Sequence, residues 1–354
     1  MENTLPKHTP PSAPYSEMRN IRASLQDESP RKPSRIWMVL GGAAIVLLII
    51  AAVIQVLTPK KVTIPETSFV TTNVNDTLPH ITDVSYTGPT ADFPTQFPIF
   101  SSRQLFSEGQ VVSDISAKYG LLKPDPEANY WINGDLGLVH DQTTGSYTLI
   151  LKDPSNEALP VVDPTRAEEV AHSFLEEVFP EIPLRPMMDA ASYYIMSSEP
   201  DNTVTASEAT AVVIPYTPEI ETEYPVIYEK SFQPAFAVTV DGKNTIRVLQ
   251  FFPLFQQFTK VDEQAPISID QALEQIKQGV ASIISATIVD YNRVPISDLT
   301  KAEFTSVTIE YRLDPTSQLL YPFYHFTGKG TNSRNVNAEI DVITPAVNIA
   351  RRNR

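Results

Sequence analysis

Residues 36–57 contain no charged side chain. They run Ile-Trp-Met-Val-Leu-Gly-Gly-Ala-Ala-Ile-Val-Leu-Leu-Ile-Ile-Ala-Ala-Val-Ile-Gln-Val-Leu. A helix needs about 20 predominantly apolar residues to cross the hydrocarbon core of a bilayer, and it satisfies its own backbone polar groups where no water can. Core helices of globular domains seldom stay apolar on every side for this length. The stretch therefore predicts one transmembrane helix, around which the rest of the chain must be arranged.

Flanking charge sets the expected orientation. Arg19, Arg22, Arg31, Lys32 and Arg35 precede the span, and only Lys60 and Lys61 follow it closely. An excess of basic residues marks the cytoplasmic side, so the N-terminus is expected inside and residues 58–354 outside. Trp37 and Gln55 fit the two interfacial edges. A cleaved signal peptide would have a shorter apolar core and a small-residue cleavage site. This span is longer, follows a 35-residue basic leader and shows no Ala-x-Ala at its outer end, which favours an uncleaved signal anchor.

The outer part differs in charge. Six of the 27 basic and four of the 42 acidic residues lie in the leader, leaving 21 basic and 38 acidic residues and a net charge of −17 in residues 58–354. Such a surface repels nucleic acid and acidic polymers. The chain has no cysteine. That excludes disulfides, thiol catalysis, Cys-based zinc sites and lipidation on cysteine, and it suits a bacterial cell envelope. Asn75-Asp76-Thr77 is a formal glycosylation acceptor, a triplet that often arises by chance.

Read in order, residues 1–35 are rich in Pro, Ser and charge and poor in large apolar side chains, the composition of a disordered cytoplasmic tail. Residues 58–80 read as an extended stalk. A first strand is expected at 81–86. Phe93-Pro94 and Phe97-Pro98 predict a non-helical strap over 92–100, because each proline pushes its predecessor into an extended form. Ser107 with Gln110 reads as a capping box opening a helix whose Val112, Ile115 and Tyr119 share a face and whose end is Gly120. A hairpin is expected from 136–140 and 147–151. Asp163 and Pro164 begin a second helix, with Ala167, Val170, Ala171, Phe174, Leu175 and Val178 at helical spacing and Pro180 beyond it. Strands follow at 190–196, 209–214, 235–240 and 245–252, with Asp241-Gly242 as a hairpin turn between the last two.

A third helix is capped by Ser268 with Gln271. Ile267 is placed to staple onto Ala272, and Ile269, Ala272, Leu273 and Ile276 form the apolar face. Strands are expected at 282–290, 306–313, 319–327 and 338–343. In 306–313, Val307, Ile309, Tyr311 and Leu313 alternate with Thr308, Glu310 and Arg312, the pattern of a half-buried antiparallel strand. A capped helix followed by antiparallel strands thus recurs three times. The expected fold is α+β: a single N-terminal transmembrane helix, then an ectodomain of three helix-plus-sheet units at 81–158, 159–260 and 261–348, with a tail at 349–354.

Chemistry is harder to find. The histidines are residues 8, 80, 140, 172 and 325, and none stands at metal-ligand spacing with another. His172 reads as a solvated helix residue and His325 as a structural strand residue. There is no phosphate-binding glycine loop, Gly-x-Ser-x-Gly, His-Glu-x-x-His or Lys-Thr-Gly. Glu219, Glu221 and Glu223, like Asp125 and Glu127, read as solvated acidic loops rather than cation ligands. Tyr321, Phe323, Tyr324 and Phe326 resemble a sugar or peptide platform, but strand periodicity turns half of them into the core. Arg351, Arg352 and Arg354 form a small basic tail. No cofactor and no catalytic or metal residue is expected. The one candidate interaction feature is a small-residue seam along the span, Gly41, Ala44, Leu48 and Ala51, since small residues let helices approach closely in lipid.

The last third carries a resemblance. Ser268-Ile-Asp-Gln-Ala-Leu-Glu-Gln-Ile-Lys-Gln-Gly279 is followed by an Ile/Val-rich strand ending at Asp290-Tyr291, then by Leu320-Tyr-Pro-Phe-Tyr-His-Phe-Thr-Gly328 and Thr344-Pro-Ala-Val347. Residues 261–347 resemble the membrane-anchored ectodomains of the YycH and YycI regulatory type and, more loosely, the PepSY module, with a fainter echo at 163–178. The resemblance implies an N-in anchor, a non-catalytic α+β ectodomain and contact with a sensor kinase at the outer membrane face. The leading expectation is an envelope-tethered regulatory or interaction module. A wall-polymer or surface-protein binder is the alternative, and an enzyme of unrecognised type comes third.

Overall fold

The computed structural model describes residues 62–64, 81–90, 92–152, 158–196, 203–228, 234–279, 281–288, 294–295 and 299–348. Chain contacts separate Met1–Lys60 from Lys61–Arg354, and every described residue belongs to the second unit. The expected leader, the span at 36–57 with its seam Gly41, Ala44, Leu48 and Ala51, and the tail at 349–354 all lie outside the described residues. Among those described, no helix is long and apolar enough to cross a membrane.

The fold is α+β, dominated by two sheets. The first is built largely from the C-terminal third. Its path runs β1 (Asp83–Tyr86), β15 (Leu299–Asp314), β16 (Leu319–Asn332), β17 (Asn337–Pro345), β13 (Ser282–Ile288) and β14 (Val294–Pro295). Attached to that path are β2 (Phe97–Gln104), β9 (Val226–Ile227) and β12 (Gln256–Gln264). The second sheet runs β3 (Tyr130–Asn133), β4 (Leu136–Asp141), β5 (Ser146–Ile150), β11 (Ile246–Phe251), β10 (Phe236–Asp241), β8 (Ala211–Pro218) and β6 (Leu184–Pro186), with β7 (Ser192–Tyr194) also on β8.

The three described α-helices form for the local reasons their sequences carry. In α1 (Glu108–Tyr119), Ser107 Oγ accepts the Gln110 N–H at 3.2 Å, and Gly120 closes the helix in the left-handed region at φ 64°. Only this half of the expected capping box is present in α1. In α2 (Pro164–Val178), Asp163 Oδ1 accepts the N–H groups of Thr165 and Arg166, and proline occupies the first turn, where its missing N–H costs nothing. In α3 (Ile269–Lys277) the capping box is complete: Ser268 Oγ accepts from Gln271 N–H, and the Ser268 N–H donates to Gln271 Oε1 at 2.9 Å. Ala272, Leu273 and Ile276 are buried, as their spacing predicts.

The two sheets draw their strands from across the segments 81–158, 159–260 and 261–348. β3, β4 and β5 after α1 share the second sheet with β6, β7, β8, β10 and β11 after α2, β5 pairing with β11 across the boundary at 158/159. The sheet following α3 takes in β1, β2, β9 and β12 from the two earlier segments. β1 pairs with β15 in parallel, Val84 opposite Ala302. The second half of the Phe-Pro strap is β2 itself, antiparallel to β12 and touching β16 at Leu319 and Leu320. The stalk also differs. Val62 N–H donates to Asp262 Oδ2 at 2.9 Å, Gln264 Nε2 donates to the Val62 carbonyl at 2.8 Å, and Ile64 is buried in the core.

The central pair β15–β16 corrects the expectation of a half-buried strand. Ile309, Tyr311 and Leu313 are buried and Thr308 is exposed, as the alternation predicts, but Glu310 and Arg312 are buried as well. Towards its C-terminal end β15 is therefore covered on both faces. Gly328 on β16 marks a close approach. A Cβ there would sit 2.2 Å from the Glu303 carbonyl oxygen, beside the irregular register between Phe304 and Ser306.

Candidate functional site

Two features stand out, one buried and one exposed. The buried one crosses three adjacent strands. Glu310 on β15, His325 on β16 and Asp341 on β17 share one face and lie in a diagonal row, with His325 directly opposite Thr308 and Ile343. His325 Nδ1 is 3.1 Å from Glu310 Oε2, and His325 Nε2 is 3.0 Å from Asp341 Oδ1. The other Glu310 oxygen accepts from Arg312 Nε at 2.5 Å, two residues along the same strand and so on the same face. Burial alone would push the imidazole down. The hydrogen bonds and negative charges of Asp341 and Glu310 overrule it and hold His325 up at about 9. Burial likewise opposes the Glu310 anion, but the His325 hydrogen bond and the Arg312 and His325 charges keep its carboxyl below its ordinary value.

The chemical consequence is specific. At neutral pH His325 is a cation with both ring N–H groups given to carboxylates. Such an imidazole has no lone pair available to take a proton from a nucleophile. The row acts as an electrostatic staple across three strands. A second buried ion pair, Arg247 with Asp241, sits in the second sheet, where Asp241 Oδ1 also accepts the N–H groups of Lys243 and Thr245 and so shapes the β10–β11 turn.

The exposed feature was not anticipated. β3 is the edge strand of the second sheet. Tyr130 stands opposite Val139 on β4, and Ile132 exchanges both backbone hydrogen bonds with Leu122, each at 2.9 Å. Directly opposed residues share a face, so Leu122, Tyr130, Ile132 and Val139 lie together on one side of the ribbon. All four are exposed, Leu122 to 73%. On the other side Trp131 is half-buried, with the Lys123 ammonium 5.5 Å from its ring centre. Summed over ordinary side-chain areas, the four expose on the order of 350 Å² of apolar surface, a size at which the largest patch on a monomer is often functional. The β3–β4 hairpin turns through Gly134-Asp135 between the paired Asn133 and Leu136, with Gly134 at φ 60°, and a glycine at that place is the local signal that could have found it.

Other sequence candidates fall into place singly. His172 is partly exposed, 3.4 Å from Glu176 on its own helix and stacked on Tyr216. Glu219, Glu221 and Glu223 are exposed, as are Asp125 and Glu127, and Asp125 Oδ1 accepts the Glu127 N–H in a local turn. Among the described residues no group of three or more His, Asp or Glu side chains is arranged to hold a metal ion. Tyr321, Phe323, Tyr324 and Phe326 are all buried, so the aromatic run packs on both faces and offers no platform. An open cleft of about 570 Å³ is lined by Glu168, Arg185, Asp189 and Glu223. The Arg185 guanidinium there already donates to the carbonyls of Thr222, Glu223 and Tyr224.

Comparison with known proteins finds no matching family model, curated protein or solved structure.

Proposed function

We propose that this chain is a membrane-anchored envelope protein whose extracytoplasmic α+β domain binds another membrane protein. The observation that carries the reading is the apolar face of Leu122, Tyr130, Ile132 and Val139 on an edge strand. The apolar segment 36–57 supports the membrane location, and the net charge of −17 beyond it speaks against nucleic acid as partner.

Magnitudes favour a tethered partner. Covering about 350 Å² of apolar surface gains roughly 9 kcal/mol gross. Association from free solution costs an estimated 4–15 kcal/mol. The patch alone therefore makes a weak complex. Confinement to one membrane raises the effective concentration of the partner and lets a weak contact suffice. A sensor kinase is the partner class that the resemblance of residues 261–347 supplies. Wall polymer is the alternative, and it would need polar and aromatic groups at the surface more than this apolar face.

The test is photo-crosslinking in the membrane. A photoreactive residue at position 132 should trap a discrete membrane protein, and one at the exposed Ser173 of α2 should not. Ile132→Lys should abolish the adduct formed from a photoreactive residue at position 139 without lowering the melting temperature. Equal labelling from positions 132 and 173 would remove the support for this reading.

A further inference from the structure

The exposed patch continues inward across the second sheet. Directly opposed residues share a face. From Tyr130 and Val139 the pairing leads on to Thr148 on β5, Gln250 on β11 and Ala237 on β10. In a second row on the same face, Ile132 leads through Gly137 on β4 to Ile150 on β5 and Val248 on β11. Thr148, Ile150, Val248, Gln250 and Ala237 are all half-buried. The intervening row, Leu138, Leu149, Leu249 and Val238, points the other way and is fully buried. That is the side on which Phe179, at the end of α2, meets the rings of Phe236 and Phe251. One face of this part of the sheet is therefore core, and the other reaches solvent although it is largely apolar.

Not one side chain in these two rows is charged, although residues 58–354 carry a net charge of −17. Two bodies of that charge repel each other over most of their surfaces, and they can close on each other only where charge is absent. A basic partner would instead be drawn to the acidic surface elsewhere. Gly137 adds shape. It has no side chain, and a Cβ built there would meet nothing nearer than the Trp131 carbonyl oxygen at 3.8 Å. It leaves a dip between Ile132 and Ile150 that an opposing aliphatic side chain can enter. The two rows with Leu122 present on the order of 550 Å² of uncharged surface, and the rim that closes around any contact brings this near the roughly 800 Å² per partner of a standard interface.

We infer that a second copy of this chain occupies this face, sheet against sheet about a two-fold axis. Identical faces that meet in this way are self-complementary, the commonest closed arrangement of identical subunits. Antiparallel sheets pack face to face with their inner side chains interdigitated, which suits two aliphatic rows with a dip between them. The inference rests on the patch of Leu122, Tyr130, Ile132 and Val139 being the interaction surface proposed above, and it names a second copy rather than a kinase as the protein seated there.

The test uses purified full-length protein in phosphatidylcholine vesicles with no other protein present. A photoreactive residue at position 132 should give an adduct of twice the chain mass, several-fold more than one at the exposed position 173 on α2. Thr148 lies in the middle of its row. Thr148→Glu should lower the adduct from position 132 several-fold, because it sets two carboxylates into the contact, and mixing Thr148→Glu with Thr148→Lys copies should restore it. Gly137→Val fills the dip without changing charge and should lower the adduct as well, which keeps the test open should the Thr148 variants fold poorly. No adduct in the purified vesicles, together with an adduct to a different protein in native membranes, would overturn the second copy and leave the interaction face standing. Yields at 132 no higher than at 173 in both settings would overturn the copy and the face together.

Discussion

Replacing His325 with glutamine removes the cation from the row Glu310–His325–Asp341 while keeping a side chain of similar reach. Its effect can be worked from the structure. The imidazole is held at about 9 against an ordinary 6.5. One pKa unit corresponds to about 1.4 kcal/mol, so the folded environment favours the charged ring by about 3 kcal/mol. The side chain is 14% exposed, so solvent screening removes little of this. The group is raised in the folded state. Its contribution is therefore fully present below pH 6.5 and is lost as pH rises through 9. Glu310, held below its ordinary value, contributes with the opposite sign, and its share is lost only as pH falls into the acid range. The same contact underlies both shifts, so they are not added.

Denaturant unfolding of the protein at pH 6, 7.5 and 9.5 reads this out. Wild-type stability should fall by about 3 kcal/mol across the series. The tyrosines Tyr216, Tyr311 and Tyr324 are pushed up by burial and do not titrate in that window. His325→Gln should start about 3 kcal/mol lower at pH 6 and show a flat profile, converging on wild type near pH 9.5. A ring proton resonance titrating near 9, absent from the variant, would assign the group. A flat wild-type profile from pH 6.5 to 9.5, or a His325 midpoint below 7, would refute the staple.

Three further outcomes follow from particular contacts. Gly328→Ala should cost about 2 kcal/mol or more by denaturant unfolding, because the added methyl meets the β15 backbone, which cannot rotate away. Arg247→Met should cost about 3–5 kcal/mol in the same measurement by leaving the buried Asp241 carboxylate without its guanidinium, while Arg247→Met with Asp241→Asn should recover part of the loss. A reporter active only in the cytoplasm, fused after Arg354, should give no signal; a strong signal would reverse the orientation.

What could be read from the chain itself was local. The helix starts at Ser107, Asp163 and Ser268 and the stop at Gly120 are set by contacts within four residues, and each is present; a hairpin also joins β10 and β11 as Asp241-Gly242 signalled, but its loop is longer, with Asn244 rather than Gly242 in the left-handed region at φ 58°. The apolar stripe of α3 was legible because helical spacing itself decides which residues share a face. Alternation in 306–313 likewise sorted Ile309 and Tyr311 from Glu310 and Arg312. It could not say that both faces would be covered, since that depends on what packs across the strand. The parallel pairing of β1 with β15, the exchange of β2, β9 and β12 into the C-terminal sheet, and the clamp on Val62 join residues about 85 to 220 positions apart. The Glu310–His325–Asp341 row exists only once β15, β16 and β17 lie in register, and the apolar patch only once Leu122 meets Ile132. A strand's sequence encodes which side chains share a face; its neighbours are chosen by the burial and hydrogen bonding of the whole sheet.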